Sequence, residues 1–263
     1  MTIDEQLKQF ENDLETPQET LGWLTSIQFA AKHGKLEFIA EQLGTKDPRD
    51  QLRILGQQTK QGGFTALHYA TYFGHVSCVK TLLELGASLH SVTLLQMKPI
   101  QLALTGNKNN RAKQIQLFEL LNRAPLALSH PNMNGDTLAH LAAEFDLHEV
   151  LAVIDDANLN IKNQQGLTPL LISLLNNSMN AVSQLSKTAS IKEKDFKGRN
   201  ALHYATLYSA PACMAHIVPY FENDVPDQDG YRALDYASRN KDTKKVEILT
   251  AAFPTSTKDS KSS

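Results

Sequence analysis

The side chains that could do chemistry are nine histidines, two cysteines and a few close-set carboxylates. Cys213-Met214-Ala215-His216 has the CxxH spacing that puts a thiol and an imidazole on one helical face. A zinc site needs three or four such ligands, and no second pair lies near it in sequence. That segment therefore reads as packing. Cys78 falls in an apolar helical slot, where a nucleophile would be buried with no neighbouring base. Asp155-Asp156 and Asp235-Tyr236 are too isolated to make a carboxylate pair for acid–base work. The sequence has no Walker-type phosphate loop, no HExxH and no GxSxG. No catalytic residue, metal or cofactor is expected, and the chain reads as a non-enzyme.

Bulk properties narrow the classes further. The 263 residues are 41% hydrophobic, enough for a real core, and the formal net charge is −2. That charge gives no overall case for nucleic acid or an anionic membrane as partner. Residues 1–20 lean acidic and residues 239–245 (Arg-Asn-Lys-Asp-Thr-Lys-Lys) lean basic. Both read as solvated helix faces rather than docking sites. Cys78 and Cys213 lie far apart in apolar runs, which suits a reducing, cytoplasmic compartment rather than a disulfide framework. The sequence has no run of 18 apolar residues to span a membrane. Met-Thr-Ile-Asp-Glu lacks the basic and apolar regions of a cleaved signal peptide.

The elements that must position these side chains are clearest in Gly63-Phe64-Thr65-Ala66-Leu67-His68-Tyr69-Ala70-Thr71-Tyr72-Phe73-Gly74-His75, continuing to Gly86-Ala87-Ser88-Leu89. The spacing predicts turn, helix, tight turn, helix and glycine stop. Leu67 and Ala70 share one face of the first helix; Val79, Leu82 and Leu83 share one face of the second. Thr65 suits an N-cap, Gly74 a sharp reversal and Gly86 a left-handed stop. A hairpin this short cannot bury both apolar faces alone, and the chain supplies further copies. The position of His68 recurs as Gln28, Gln101, His140, Leu171, His203 and Asp235, at spacings of 31 to 40 residues.

A period near 33 with Thr-Pro-Leu-His-x-Ala as its pattern makes this sequence resemble the ankyrin-repeat family over residues 21–253. The resemblance implies an all-α solenoid of about seven stacked helix-turn-helix hairpins, some of them degenerate. Residues 1–20 would supply a capping helix, with Ile3, Leu7, Phe10 and Leu14 on one stripe, and residues 254–263 a disordered tail. Two long spacings locate insertions at 44–60, where Asp47-Pro48 breaks the chain, and at 106–114, where a turn lengthens. The copy at 96–121 lacks both glycines and the threonine, so a kink or looser packing is expected there. By the same resemblance, His68, His140 and His203 hydrogen-bond within and between hairpin turns, and His75 is structural too.

Ankyrin proteins bind other proteins on a concave side built from hairpin tips and first-helix faces. Carried onto this sequence, the variable positions are the two before each repeat glycine, the one after it, and the two before the inter-helix glycine. They place Phe64, Tyr72, Phe73, Phe145, Phe196, Tyr208 and Tyr231 as partner-binding residues. Leu94, Leu95, Met133, Leu167, Leu175 and Leu207 fall at the same positions. The implied function is a scaffold or adaptor, a monomer that holds another protein, with no nucleic acid or membrane. Three alternatives stand beside it, one of them salt-sensitive nucleic-acid binding through the basic end at Arg239–Lys245. Degenerate Gln/Asn/Lys-rich repeats and a Ser/Lys tail are similar to ankyrin effectors that bacteria translocate by type IV secretion into host cells. An enzyme or enzyme regulator could instead hide a site in one of the insertions.

Overall fold

A short helical hairpin needs an N-cap at its start and a left-handed residue at its reversal, and both recur through this chain. The computed structural model describes residues 26–60, 62–123 and 128–254, with no strand among them. Contacts divide the chain into two units, Met1–Met133 and Asn134–Ser263. In the first unit the helices are α1 (Ser26–Lys32), α2 (Leu36–Gly44), α3 (Pro48–Leu55), α4 (Ala66–Tyr72), α5 (Val76–Glu84), α6 (Pro99–Gly106) and α7 (Arg111–Leu121). The first helices of the hairpins, α1, α4 and α6, pack side by side, and α2, α5 and α7 form a second layer.

The second unit repeats the plan. It holds α8 (Leu138–Glu144), α9 (His148–Leu151), α10 (Pro169–Leu175), α11 (Met179–Thr188), α12 (Ala201–Tyr208), α13 (Pro211–Ile217), α14 (Ala233–Arg239) and α15 (Thr243–Ala252). Here α8, α10, α12 and α14 pack in chain order, backed by α9, α11, α13 and α15. Among the described residues the hairpins therefore number seven, α3 standing outside them. The expected capping helix at 1–20, and all of the expected tail but Pro254, lie outside the described residues.

The core follows the apolar spacing. Leu67, Ala70, Val79 and Leu82 are buried together, and Leu83 is half-buried. Thr65 caps α4, its hydroxyl oxygen accepting from the His68 amide at 3.4 Å. Gly74 takes the left-handed backbone at the reversal, with φ +76°.

Two expectations are corrected. Asp47-Pro48 starts a helix instead of breaking the chain. The Asp47 carboxylate accepts from the Arg49 and Asp50 amides at 2.9 and 3.1 Å, and Pro48 sits at the first helical position, where its missing N–H costs nothing. The copy at 96–121 is not loosely packed: Ile100, Leu102, Leu104, Leu117 and Leu121 are fully buried. Gln96 stands where other copies have glycine and takes φ +58° in its place. The lengthened turn is present at residues 107–110, and the Asn110 side chain caps α7 by accepting from the Lys113 amide at 3.0 Å.

Three other reversals also dispense with glycine. Asp146, Asn177 and Lys241 adopt φ of +57°, +56° and +56°. A non-glycine residue there costs roughly 1–2 kcal/mol, least for Asn and Asp. Two of the three use the side chain to offset that cost. Asp146 accepts from the Ala181 amide at 2.8 Å, and Asn177 accepts from the Ala210 amide at 2.8 Å. Each reversal thus supplies an acceptor to the start of the next hairpin's second helix, where backbone N–H groups lack partners.

Candidate functional site

The histidines at the repeat position are spent on architecture. In His68, Nδ1 accepts from the Thr65 amide at 3.0 Å, so the proton sits on Nε2, which donates to the Ser91 carbonyl at 3.1 Å. His140 makes the same pair of bonds, from the Thr137 amide at 3.1 Å and to the Leu167 carbonyl at 3.0 Å. His203 takes the Asn200 amide at 3.3 Å and reaches the Tyr231 carbonyl at 3.1 Å. Each ring ties its own helix start to the following hairpin. Burial pushes His68 from 6.5 down to about 4, and lowers His140 and His203 as well.

The two copies with glutamine keep the same logic, whereas Leu171 offers no side-chain hydrogen bond at that position. Gln101 Oε1 accepts from the Lys98 amide at 2.9 Å, and Nε2 donates to the His130 carbonyl at 3.0 Å. Gln28 Nε2 donates to the Gln57 carbonyl at 2.8 Å and the Phe64 carbonyl at 3.3 Å. A glutamine amide has an acceptor and a donor on opposite sides, as a neutral imidazole does. Asp235 has only acceptors, and uses one for the Arg232 amide at 2.8 Å. His75 Nε2 donates to the Lys32 carbonyl of the preceding hairpin at 2.9 Å, a structural role as expected.

The cysteines are buried and free. Burial pushes both thiols up, with Glu37 adding to it at Cys78 and Asp146 at Cys213, which disfavours the nucleophilic thiolate. Among the described residues no three His, Cys, Asp or Glu groups cluster as metal ligands would.

The hairpin tips are built on a carboxylate or amide that the sequence reading did not single out. Asp195 Oδ1 accepts from the Lys197 and Arg199 amides at 2.9 Å each. Asp227 Oδ1 accepts from the Asp229 and Tyr231 amides at 3.0 Å each, and Asn163 Oδ1 from the Gln165 and Leu167 amides at 3.0 Å each. The second carboxylate oxygen then holds a tyrosine. Tyr204 donates to Asp195 at 2.9 Å, and Tyr236 donates to Asp227 at 2.6 Å. Arg199 closes the first set, its Nε donating to Asp195 at 2.8 Å. Burial works against charge on both aspartates, but these bonds win and hold both carboxyls below the usual range. The signal was present in the sequence: an aspartate three before the turn glycine and a tyrosine six after that glycine, twice in succession.

One expected site residue is withdrawn. Phe64 is only 5% exposed, its ring packed on His68 and Tyr69, so it belongs to the core. Leu95 and Leu167 are buried too. Tyr72, Phe73, Phe145 and Leu207 are half-buried. Tyr72 and Phe73 meet edge to face at 5.2 Å, with the Lys32 ammonium 5.5 Å from the Phe73 ring. Phe196, Tyr208, Tyr231 and Leu175 are exposed, as are Leu94 and Met133.

In the second unit each exposed ring packs on a neighbour of its own rather than on another of these residues. Tyr208 contacts Tyr204 at 5.4 Å, and the Arg199 guanidinium lies 5.0 Å from the Tyr204 ring. Tyr231 contacts Tyr236 at 5.7 Å and carries the Arg239 guanidinium at 4.8 Å. The Gln228 amide donates to the Lys197 carbonyl at 2.9 Å, tying two tips side by side. The Phe196 ring lies over the backbone of Gly166, where an added Cβ would fall 2.8 Å from it. In the first unit Phe64 is separated from Tyr72 and Phe73 by its burial.

The position two before the turn residue has a consistent geometry. The amides of Leu94 and Met133 donate to the preceding tip, at Gly62 and Leu95, over 2.8 and 3.0 Å. Their side chains point away: Leu94 is 58% exposed and Met133 49%, and Phe196 at the same register is 65% exposed.

These repeated hairpins define a known class. The family model for ankyrin repeats (three copies) matches residues 3–93 and 139–223, and the chain belongs to the ankyrin-repeat family. Mouse Rabankyrin-5 is 26% identical over 152 residues, 57% of this chain and 10% of that protein. The Target of rapamycin complex 2 subunit AVO2 of Saccharomyces cerevisiae is 26% identical over 146 residues, 54% of this chain and 33% of that protein. The chain therefore spans a third or less of the length of these curated relatives. The human ASB11 ankyrin repeat domain superposes with a TM-score of 0.67 at 21% identity, covering 87% of this chain and 98% of that one, which shows the fold. Ankyrin repeats are protein-binding modules, and this chain carries that module. No helix among the described residues is long and apolar enough to cross a membrane.

Proposed function

We propose that the chain is a non-catalytic scaffold or adaptor, a cytoplasmic monomer that holds a partner protein on its hairpin tips and first-helix ends. Residues 21–253 form the binding domain. One observation carries this reading: Leu94 and Met133 in the first unit and Phe196 in the second occupy the same repeat register and are all turned to solvent, while Leu95 next to Leu94 is buried. Exposed apolar side chains set on a rigid backbone are what anchors an interface. In the second unit Tyr208 and Tyr231 are exposed as Phe196 is, and Phe145 is half-buried; in the first, Tyr72 and Phe73 are half-buried. The absence of catalysis is supported by chemistry already used up. Three histidines have both nitrogens engaged, and both thiols are buried.

A photo-crosslinking residue placed at Phe196 or Met133 tests the assignment, with exposed Lys80 on α5 as the control site. A partner that crosslinks at the tips and loses about ten-fold or more affinity for Phe196→Ala supports it, a loss typical of an interface anchor. Equal crosslinking at Lys80 together with unchanged affinity overturns it.

A further inference from the structure

The tip at residues 191–198 reads Ile-Lys-Glu-Lys-Asp-Phe-Lys-Gly, and its charges are not balanced at the surface. Asp195 is buried and held by Arg199 and Tyr204. Glu193 pairs with Lys162 of the preceding tip at 2.8 Å. Arg199 is taken up by Asp195, at 2.7 Å. What is left facing water is Lys192, Lys194 and Lys197, all exposed, around Phe196. On the adjoining tip Asp227 is likewise buried and bonded to Tyr236, while Arg239 lies over the exposed Tyr231. Asp229 is the exposed carboxylate of that tip. On the 191–198 tip Asp195 and Glu193 are taken up by Arg199 and Lys162, and Lys192, Lys194 and Lys197 outnumber the one carboxylate, Asp229, that faces water on the next tip.

Resting on the proposed protein-binding role, we infer that the tips of the second unit take an acidic peptide segment with an apolar anchor. The anchor packs on Phe196, and the flanking carboxylates face Lys192, Lys194 and Lys197. Charge complementarity picks the partner, since like charges brought together at a rim are repelled and opposite ones are steered in. A nucleic acid is disfavoured. Its backbone needs a cationic track along its length, whereas these lysines crowd one tip of a chain whose net charge is −2.

The test is selection from a displayed random peptide library against the full chain, followed by affinity measurement on the selected peptides. They should be enriched in Asp and Glu around an aromatic or aliphatic residue and should bind more weakly as salt rises. Lys192→Glu, Lys194→Glu and Lys197→Glu combined should cost about ten-fold or more, as three rim charges of up to ~1 kcal/mol each allow. The same reversal at Lys80, away from the tips, should cost nothing. Melting curves confirm that the variants fold. Selected peptides without acidic bias, or insensitive to the tip reversal, overturn the acidic partner. If Phe196→Ala still abolishes their binding, the tip surface stands and only its charge preference falls; if neither change matters, both readings fall. A 20-nucleotide single-stranded DNA that binds with the same dependence on the three lysines, and displaces the peptides, also overturns the inference.

Discussion

Replacing His68, His140 and His203 with glutamine should leave the protein folded at neutral pH and remove much of its sensitivity to mild acid. The native role of the His68 and His140 rings requires the neutral form, because Nδ1 accepts from a backbone amide and cannot do so once protonated; His203 Nδ1 lies closer to the Asn200 side-chain oxygen, at 2.7 Å, than to the amide. For His68 the folded value is about 4, against 6.5 for the free side chain. The folded value is the lower one, so below pH 6.5 the unfolded chain binds more protons than the folded one. The stabilisation is fully present above 6.5 and drains away as pH falls toward 4. At 1.36 kcal/mol per unit the full loss is about 3 kcal/mol, and about 2 kcal/mol of it has gone by pH 5. His140 and His203 shift in the same direction and add to it.

Burial lowers His33 and His130 as well, so the triple variant keeps part of the slope; the carboxylates are separable from this effect. Asp47, Asp195 and Asp227 have lowered values, so their contribution is lost only below the ordinary carboxylate range. Asp224, raised by burial, runs the other way and gains as it protonates. Glutamine is the control this chain itself provides, since Gln28 and Gln101 already donate to the following hairpin from that position. Urea denaturation at pH 7.5, 6 and 5 reads the effect. The expected result is a steep loss of stability for the native chain and a much flatter one for the triple variant, with a cost at pH 7.5 of about 1 kcal/mol per site or less. A triple variant that keeps the native slope between pH 7.5 and 5 would refute the reasoning.

Three further outcomes are expected. Lys241→Gly should raise the melting temperature, because Lys241 holds φ +56° where glycine is unstrained; a gain of about 0.5–1 kcal/mol is anticipated, and no change would count against strain there. Gly166→Ala should cost about 1–3 kcal/mol and turn Phe196 aside, since a Cβ at φ +76° would meet its ring at 2.8 Å; calorimetry and peptide binding should move together. Cys78 and Cys213 should react with an aromatic disulfide reagent only as the protein unfolds, and prompt labelling at pH 7.5 would show that their burial is transient.

The fold was legible because its signals are local. Thr65, His68 and Gly74 each do a job that few residue types can do, and their recurrence counts the hairpins. The degenerate copies were harder for a physical reason rather than from noise. Gln101 replaces an imidazole by matching its donor and acceptor, Gln28 supplies the donor, and Asp146 and Asn177 replace glycine by using a side chain to offset left-handed strain. The fold constrains what an atom at that place must do, not which residue supplies it. Lys241 and Gln96 take the same backbone shape, and so mark positions where the consensus residue remains the better one.

The site was less legible because burial at the tips is decided by a neighbour, not by the residue. Phe64 and Tyr231 hold the same register, one after the turn glycine. In both, the backbone carbonyl receives the bond from the preceding hairpin, from Gln28 and from His203. The side chains then diverge. Phe64 folds onto His68 and Tyr69 and is lost to the core. Tyr231 meets Tyr236, whose hydroxyl is fixed by Asp227, and Arg239 covers its other side, so it stays partly open. The aspartate that shapes the tip therefore also decides what the tip displays. It ties down the tyrosine behind, removes its own charge from the surface, and leaves lysines and an aromatic ring as what a partner meets.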